Sequence, residues 1–184
     1  MDAVTGPRVL VLGGSRSGKS AVAERLVARS AAGAAVHYLA TGPDPDGDAD
    51  WADRVARHRD RRPAEWVTVE CGPALAEALA AAPPDAAVLI DAVGTWVAAH
   101  HDFVCDIGPV LDALAARVAP TVLVSDEVGL GVHPETALGR RFRDVLGAVN
   151  VALAAACDDV WLVVAGRVLV LPPDPTLPPA AGRS

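Results

Sequence analysis

The stretch Val9-Leu10-Val11-Leu12-Gly13-Gly14-Ser15-Arg16-Ser17-Gly18-Lys19-Ser20 decides the fold. An apolar run leads into the pattern Gly-x-x-x-x-Gly-Lys-Ser, and an amphipathic run from Ala21 to Ser30 follows. This order predicts a strand, a glycine loop and a helix, which is the setting of the phosphate-binding P-loop. Glycines let backbone N–H groups converge on an anion, and the helix N-terminus adds partial positive charge. The stretch therefore predicts a nucleotide phosphate site rather than a plain Gly/Ser turn.

Lysine usage supports the same interpretation. Lys19 is the only lysine among 16 cationic residues, and the other fifteen are arginines. A compact ammonium therefore stands at a position where it suits the site better than a planar guanidinium. We expect Lys19 to reach the β- and γ-phosphates and the Ser20 hydroxyl to bind Mg²⁺.

Length and composition bound the class of protein. A chain of 184 residues, 52% of them hydrophobic, fits one domain with one core. No apolar run approaches the roughly 18 residues of a membrane span, and no signal peptide is evident, so we expect a cytoplasmic protein. The net charge of −7 argues against general nucleic-acid binding. The three scattered cysteines, Cys71, Cys105 and Cys157, favour reduced thiols over a disulfide framework or a zinc site.

Apolar runs alternate with helical patterns along the chain, which predicts an α/β fold with a mostly parallel sheet and helices on both faces. The predicted strands are Arg8–Leu12, Val36–Ala40, Glu65–Glu70, Ala87–Asp91 and Thr121–Ser125. The predicted helices are Lys19–Ser30, 51–62, Pro73–Ala82, Val110–Val118 and one that starts at Pro134 and buries Leu138, Phe142, Val145, Leu146, Val149 and Leu153. Residues 160–171 predict a hairpin that adds antiparallel strands to the sheet edge. We expect residues 1–171 to form a single P-loop domain and the Pro/Ala-rich residues 172–184 to be disordered.

Several candidate functional residues follow predicted strands. Thr41 and Gly42 come after the second strand, and the segment from Asp126 to Glu135 comes after the fifth. In open α/β sheets ligands bind beyond the carboxyl ends of the strands, so both segments are candidates. Asp91 ends a buried strand and is either the Walker B carboxylate that orients Mg²⁺ or a residue that caps a turn.

A second informative segment is rich in arginine. About a third of the cationic residues lie within nine positions, namely Arg54, Arg57, Arg59, Arg61 and Arg62. They form either a solvated helix face or a second anion-binding site. His58 shares a helix face with Trp51 and Val55, so it is either a partly buried core residue or a nucleophile. Neighbouring cations would keep its imidazole neutral and would bind the phosphates that it attacks.

Two metal-site interpretations are weaker. The aspartates at 44, 46, 48 and 50 have spacing similar to a calcium loop, but residue 55 is Val where a Glu is required. A solvated loop ending in a helix N-cap at Asp48 or Asp50 is favoured instead. A zinc site built from His100, His101, Asp102 and Cys105 is weakly indicated, because adjacent histidines point in different directions.

From about Val9 to Leu171 the chain resembles the bifunctional adenosylcobinamide kinase/adenosylcobinamide-phosphate guanylyltransferase family of cobalamin biosynthesis. The resemblance is carried by the P-loop, Tyr38-Leu39-Ala40-Thr41, the segments Arg54–Pro63 and Asp126–Glu135, and Arg141-Phe142-Arg143-Asp144 with Asn150. The patterns His-x-Asp-x-Arg-Pro and Glu-Val-Gly-x-Gly are more specific than the P-loop, which many families share. Asp91 stands where the family usually has Glu, Asp126 where Asn is common, and Ala98-Ala99 where an Asn is common.

The resemblance implies a RecA-like P-loop fold, a homotrimer and two reactions. ATP or GTP phosphorylates adenosylcobinamide, and GTP then donates GMP to adenosylcobinamide phosphate. It also implies that His58 carries the GMP as a phosphoramidate, that Lys19 is catalytic, and that Ser20 and Asp91 hold Mg²⁺. The nucleotide contacts that it implies are Gly13, Gly14, Ser15, Arg16, Ser17, Gly18, Lys19, Ser20, Ala40, Thr41, Gly42, His58, Arg59, Asp60, Arg61, Glu70 and Asp91.

Two other functions fit the motifs. A monofunctional small-molecule P-loop kinase would use His58 only structurally and would form no covalent GMP. A non-catalytic nucleotide switch or regulatory ATPase would need a switch loop with a catalytic Gln, and the chain contains no Gln.

Overall fold

One sheet organises the part of the chain that the computed structural model describes, which is residues 6–43, 56, 59 and 62–173. Its strands are β1 (Arg8–Gly13), β2 (Val36–Ala40), β3 (Val67–Glu70), β4 (Ala87–Asp91), β5 (Thr121–Asp126), β6 (Asp159–Val164) and β7 (Arg167–Leu171). They lie in the order β3-β2-β4-β5-β1-β6-β7. Neighbouring strands are parallel except β6 and β7. The predicted mostly parallel α/β fold with a C-terminal antiparallel hairpin is confirmed, although β6 pairs parallel with β1 and only β7 is antiparallel.

The helices connect these strands. They are α1 (Lys19–Ser30), α2 (Leu75–Ala81), α3 (Val93–Ala98), α4 (Gly108–Ala115) and α5 (Ala137–Ala156), with a 3₁₀ turn at His101–Phe103. The prediction that the last helix starts at Pro134 was wrong by three residues. Thr136 is the cap instead, because its Oγ1 accepts a hydrogen bond from the Gly139 N–H at 3.0 Å. None of the helices in the described ranges is long and apolar enough to cross a membrane.

Some predictions fall on residues outside this description. They concern the aspartate-rich loop at 44–50 with its caps, most of the helix at 51–62, and the tail from 174 onward. Within the second of these segments, Ala56 and Arg59 are helical. Those predictions stay predictions.

The core lies on both faces of the sheet because the central strands β1, β4 and β5 carry apolar side chains on both of their faces. Leu10 and Ile90 face a cluster that contains the buried residues of α2 to α5, whereas Val11 and Leu89 face a cluster that contains those of α1. On α5 the predicted apolar stripe is buried at Leu146, Val149 and Leu153. Leu138 was predicted to belong to it but is 59% exposed, because it lies in the first turn, ahead of the packed part of the helix.

A buried arginine joins two parts of this core. Arg117 follows α4 and is 5% exposed. Its guanidinium donates to the Thr121 hydroxyl and to the carbonyls of Leu79, Ala82, Pro83 and Ala86. Burial lowers the pKa of Arg117, but an arginine stays charged at physiological pH. The side chain therefore satisfies carbonyls in the last turn of α2 and in the segment that follows it, where the helical hydrogen bonds end.

We expect Arg117→Met to destabilise the fold by about 3 kcal/mol, because it leaves several buried carbonyls unpaired. Chemical denaturation with circular dichroism measures the change. The matched control is Arg29→Met at the exposed end of α1, which should stay within about 0.5 kcal/mol of the wild type. Equal stability of all three proteins would contradict this role for Arg117.

Candidate active site

The P-loop joins β1 to α1 as the sequence predicts. Two loop residues adopt left-handed backbone conformations, Arg16 with φ 56° and Gly18 with φ 91°. Glycine is required at position 13, since a Cβ there would lie 2.5 Å from Ser17 Oγ and 2.8 Å from the Val163 carbonyl oxygen. The loop is thus tightly wound at the carboxyl end of a central strand, where backbone N–H groups can converge on phosphate.

The turn between β6 and β7 supports this loop. Ala165 and Gly166 both have positive φ, as a two-residue type I′ hairpin turn requires. The Gly166 N–H donates to the Ser17 carbonyl at 2.8 Å, and a Cβ on Gly18 would lie 3.3 Å from the Gly166 Cα. The last hairpin of the chain therefore helps to hold the P-loop in shape.

Lys19 is buried and paired. Its Nζ lies 2.6 Å from Asp126 Oδ1 and 3.2 Å from the Gly14 carbonyl oxygen. Asp126 ends β5, the strand next to β1, and its carbonyl accepts from Asn150 Nδ2 at 3.1 Å. A Cβ at Gly94 would lie 2.5 Å from Asp126 Oδ2, so the carboxylate occupies space that a side chain there would fill. The ammonium is thus held by a fixed carboxylate beside the loop.

Ser20 meets Asp91, the residue that ends β4. Ser20 Oγ donates to Asp91 Oδ1 at 3.4 Å, and the Tyr38 hydroxyl donates to Asp91 Oδ2 at 2.6 Å. Tyr38 is 1% exposed. Its burial, together with the negative charge of Asp91, raises the pKa of Tyr38 well above its usual value, so the phenol stays protonated and remains a donor. Asp91 is therefore oriented from both sides.

These residues fit a nucleotide phosphate and Mg²⁺. Ser17 Oγ is buried beside Gly13 and has no hydrogen-bond partner among the described residues, so the loop offers a polar group that a ligand oxygen could satisfy. The Ser20 hydroxyl and the Asp91 carboxylate together give oxygen donors, which Mg²⁺ prefers. Lys19 supplies the compensating cation.

The residue that ends β2, Ala40, and the two that follow it, Thr41 and Gly42, differ in accessibility. Thr41 is fully buried, and its hydroxyl contacts Thr95 Oγ1 at 2.6 Å and both backbone groups of Ala92. Ala40 is also buried, and its carbonyl accepts from the Cys71 N–H at 2.8 Å. Gly42 retains exposed surface. The Thr41 hydroxyl is therefore occupied within the protein, and Gly42 is the most accessible of the three.

Two arginines of the basic segment pack against β2 and β3. Arg59 Nη2 lies 2.9 Å from Glu70 Oε1, with both side chains about half exposed. The Arg62 guanidinium stacks on the Tyr38 ring at 3.4 Å, and its Nη1 donates to Thr68 Oγ1 at 3.4 Å. These contacts bring Arg59 and Arg62 to β3, the edge strand, and to Tyr38 on the neighbouring β2. His58, Asp60 and Arg61 lie outside the described residues.

The other candidate metal ligands do not converge in the described ranges, where no group of three His, Cys, Asp or Glu side chains could hold a metal. His100 Nδ1 lies 2.8 Å from the Trp96 carbonyl oxygen, whereas the His101 imidazole is 97% exposed. The three cysteines are thiols that form no disulfide with one another. Burial raises the pKa of Cys71 to about 11, which keeps that thiol protonated and unreactive.

Comparison with known proteins decides the family. The chain matches the family described as cobinamide kinase / cobinamide phosphate guanyltransferase over residues 9–171. It belongs to this family. The bifunctional adenosylcobalamin biosynthesis protein CobU of Salmonella typhimurium is 40% identical over 86% of this chain and 96% of its own length. CobP of Pseudomonas aeruginosa, which has the same description, is 40% identical over 91% of this chain and 99% of its own length. CobU of Escherichia coli is 38% identical over 86% of this chain and 96% of its own length.

The match to the cobinamide kinase/guanyltransferase family runs from β1 to the end of β7. The P-loop, Asp91, Asp126 and the hairpin turn at Gly166 therefore all lie inside the matched range. The family resemblance predicted from sequence is confirmed.

Sequence reasoning missed Tyr38 and Gly94 as parts of the site. Tyr38 is the only tyrosine of the chain, and it lies two residues before Ala40, which pairs with Asp91 in the sheet. Its spacing from Ala40 places both side chains on one face of β2. The strand register that brings its hydroxyl to Asp91 is not encoded in that spacing, so the sequence offered only a weak signal.

We expect Tyr38→Phe to raise the Mg²⁺ concentration needed for half-maximal nucleotide binding by roughly tenfold, because Asp91 loses a hydrogen bond that orients it. Titration of a fluorescent GTP analogue at several Mg²⁺ concentrations measures this without turnover. Trp66→Phe is the control, since Trp66 packs near Tyr38 with ring centroids 6.5 Å apart and its substitution leaves the Tyr38 hydroxyl in place. An unchanged Mg²⁺ requirement in Tyr38→Phe would contradict the positioning role.

Proposed function

We propose that this chain phosphorylates adenosylcobinamide and then transfers GMP from GTP to the phosphorylated product, giving adenosylcobinamide-GDP and pyrophosphate. Family membership over residues 9–171 supports both reactions. The structural observation that supports the proposal best is that two residue pairs meet at the P-loop. These pairs are Lys19 with Asp126 and Ser20 with Asp91. The substrates are GTP, ATP or both, and the corrinoid with its phosphate.

In the kinase reaction the P-loop residues Gly13 to Ser20 cradle the triphosphate with their backbone N–H groups. Lys19 binds the β- and γ-phosphates once its ammonium turns from the Gly14 carbonyl toward the ligand. Ser20 and Asp91 would hold Mg²⁺, which would neutralise charge on the phosphates when bound. The hydroxyl of adenosylcobinamide then attacks the γ-phosphorus, the bond between the γ-phosphorus and the bridging oxygen breaks, the nucleoside diphosphate leaves, and the hydroxyl proton passes to solvent.

In the transferase reaction the neutral imidazole of His58 attacks the α-phosphorus of GTP. A P–N bond forms, the bond between the α-phosphorus and the bridging oxygen breaks, and pyrophosphate leaves. A phosphate oxygen of adenosylcobinamide phosphate then attacks the same phosphorus and breaks the P–N bond, which frees His58. Arg59 and Arg61 balance phosphate charge, and Glu70 orients Arg59 through their 2.9 Å ion pair.

We propose that the remaining nucleotide contacts lie at the carboxyl end of β2 and in the arginine-rich segment. Ala40 ends β2, Thr41 and Gly42 follow it, and Asp60 lies in the arginine-rich segment. Since the side chain of Thr41 is occupied within the protein, Gly42 is the best placed of the three to meet a ligand. We also propose that the protein acts as a homotrimer in the cytoplasm, which light scattering of the purified protein can test for the oligomer.

The direct test is product analysis. The protein is incubated with Mg²⁺ and adenosylcobinamide, with ATP or GTP supplied alone and then together, and the corrinoids are separated and identified by mass spectrometry. We expect adenosylcobinamide phosphate with whichever nucleotide, ATP or GTP, is the phosphoryl donor. We expect adenosylcobinamide-GDP only when GTP is present. Phosphorylation without GMP transfer would leave a monofunctional kinase. Nucleotide binding without turnover of any corrinoid would favour a nucleotide switch.

A further inference from the structure

A row of polar side chains crosses three strands on the sheet face that α1 covers. Tyr38 belongs to the buried cluster that contains residues of α1. The strand register places Thr68 of β3 beside Tyr38 on one side and Leu89 of β4 beside it on the other. Since alternate residues of a strand share a face, Asp91 lies on the same face as Leu89. The row therefore runs from the edge strand β3 through Tyr38 to Asp91, the proposed Mg²⁺ ligand.

Arg62 lies at the outer end of this row. Its guanidinium carbon is 3.4 Å from the centroid of the Tyr38 ring, and its Nη1 donates to Thr68 Oγ1 at 3.4 Å. Its Nε is buried and has no hydrogen-bond partner among the described residues. A buried donor without an acceptor costs stability, so hydrogen bonding alone does not explain this position. The position favours the stacked contact, in which the cation faces the negative surface of the ring.

The Tyr38 hydroxyl connects the stacked ring to Asp91. It donates to Asp91 Oδ2 at 2.6 Å, while Asp91 Oδ1 accepts from Ser20 Oγ at 3.4 Å. Burial and the charge of Asp91 raise the pKa of Tyr38, whereas the charge of Arg62 acts in the opposite direction. The cation over the ring thus makes the phenol a stronger donor, and a stronger donor holds the carboxylate more firmly.

Arg62 also belongs to the arginine-rich segment that carries the proposed nucleophile. It lies four residues after His58, and its N–H donates to the Arg59 carbonyl at 3.1 Å. Arg59 in turn pairs with Glu70 of β3 at 2.9 Å. The end of this segment is therefore attached to β3 and to Tyr38, so its placement is linked to the residue that orients the proposed Mg²⁺ ligand.

We propose that Arg62 is a positioning residue for the Mg²⁺ site and acts on Asp91 through the Tyr38 ring, an inference that rests on the function proposed above. Arg62 fixes the ring and strengthens its hydroxyl as a donor, so the Asp91 carboxylate keeps the orientation that suits a metal ion. In this role Arg62 contacts neither the nucleotide nor Mg²⁺. Its contribution should therefore appear in the Mg²⁺ dependence of nucleotide binding and not in binding measured without metal.

The test is Arg62→Gln, which removes the charge but keeps a donor for Thr68. A fluorescent GTP analogue is titrated at several Mg²⁺ concentrations and in EDTA, without corrinoid. We expect the Mg²⁺ concentration for half-maximal binding to rise about threefold, while the affinity in EDTA stays that of the wild type. Arg62→Lys keeps a cation beside the ring and should show a smaller rise. The control is Arg29→Met in the exposed last turn of α1, which should change neither quantity.

A double variant shows whether the effect passes through the Tyr38 hydroxyl. Tyr38→Phe removes this hydroxyl but leaves a ring on which Arg62 can stack. In that background Arg62→Gln should raise the Mg²⁺ requirement no further, since nothing then connects the ring to Asp91. Thr68→Val, on the exposed edge strand, removes the acceptor of the guanidinium and leaves every charge in place. It should raise the requirement about twofold, and it decides the question if Arg62→Gln does not fold.

Three outcomes would overturn this positioning role. An unchanged Mg²⁺ requirement in both Arg62→Gln and Thr68→Val would mean that Arg62 does not act on the metal site. Equal weakening of binding with and without Mg²⁺ would make Arg62 a direct contact of the nucleotide. Additive effects of Arg62→Gln and Tyr38→Phe would mean that the arginine acts by a route other than the hydroxyl. A wild type that binds no nucleotide in Mg²⁺ would refute the proposed function instead, so the two failures are distinguishable.

Discussion

His58→Ala should abolish the covalent attachment of GMP and reduce guanylyl transfer on the order of 10⁴-fold, because it removes the proposed nucleophile. Kinase activity should remain largely intact, since the P-loop, Lys19 and Asp91 are untouched. The measurement uses GTP labelled at the α-phosphate, with Mg²⁺ and no corrinoid, followed by denaturation and detection of label on the protein. Label on the wild type should be acid-labile and alkali-stable, as expected for a phosphoramidate, and adenosylcobinamide phosphate should discharge it.

The control for this experiment is His101→Ala. The His101 imidazole is 97% exposed in the 3₁₀ turn, so its removal should leave both labelling and transfer unchanged. Label that persists in His58→Ala would assign the GMP to another residue. No label on a wild type that still binds GTP would refute the covalent mechanism.

The local part of the site was predictable because its signals are contiguous. β1, the glycine loop and α1 follow one another within the range 8–30, so strand, turn and helix patterns could be checked against each other. The apolar runs of β4 and β5 also placed Asp91 and Asp126 at strand ends. Their meeting with Ser20 and Lys19 followed from the general rule that the carboxyl ends of parallel strands share one edge.

The non-local part was not predictable, because strand register and helix capping fix it. The Tyr38 hydroxyl reaches Asp91 only because β2 lies beside β4 with Ala40 opposite Asp91. Gly166 supports the P-loop from 149 residues away in the chain, through its hydrogen bond to Ser17. Leu138 follows the helical apolar spacing, yet it is exposed because the helix cap at Thr136 leaves the first turn outside the packed core.

Asp126, like Asp91, is a site residue that differs from the one expected from the family resemblance. Where Asn is common, it has a carboxylate 2.6 Å from the Lys19 ammonium. An amide there would hold the lysine by a neutral hydrogen bond, whereas the carboxylate competes with the phosphates for it. The ion pair therefore fixes the position of Lys19, but the negative charge of Asp126 repels the triphosphate.

Lys19→Met should lower both reactions by roughly 10²- to 10³-fold, because it removes the cation proposed to stabilise charge on the transferring phosphate. It should also weaken nucleotide binding, since Asp126 is left without its counter-ion beside the phosphates. Steady-state kinetics of both reactions and equilibrium titration with a GTP analogue separate the two effects. Arg25→Met, on the exposed side of α1, is the control for loss of a cation from the same helix.

The double variant Lys19→Met/Asp126→Asn separates repulsion from catalysis. Removing the uncompensated carboxylate should restore much of the nucleotide affinity, but kcat should stay low because the ammonium is still absent. If the nucleotide affinity recovers but kcat stays low, the main effect of Lys19 is to stabilise the transition state. Recovery of both would mean that the loss in Lys19→Met came from the unpaired Asp126, and that the lysine serves chiefly to neutralise that carboxylate.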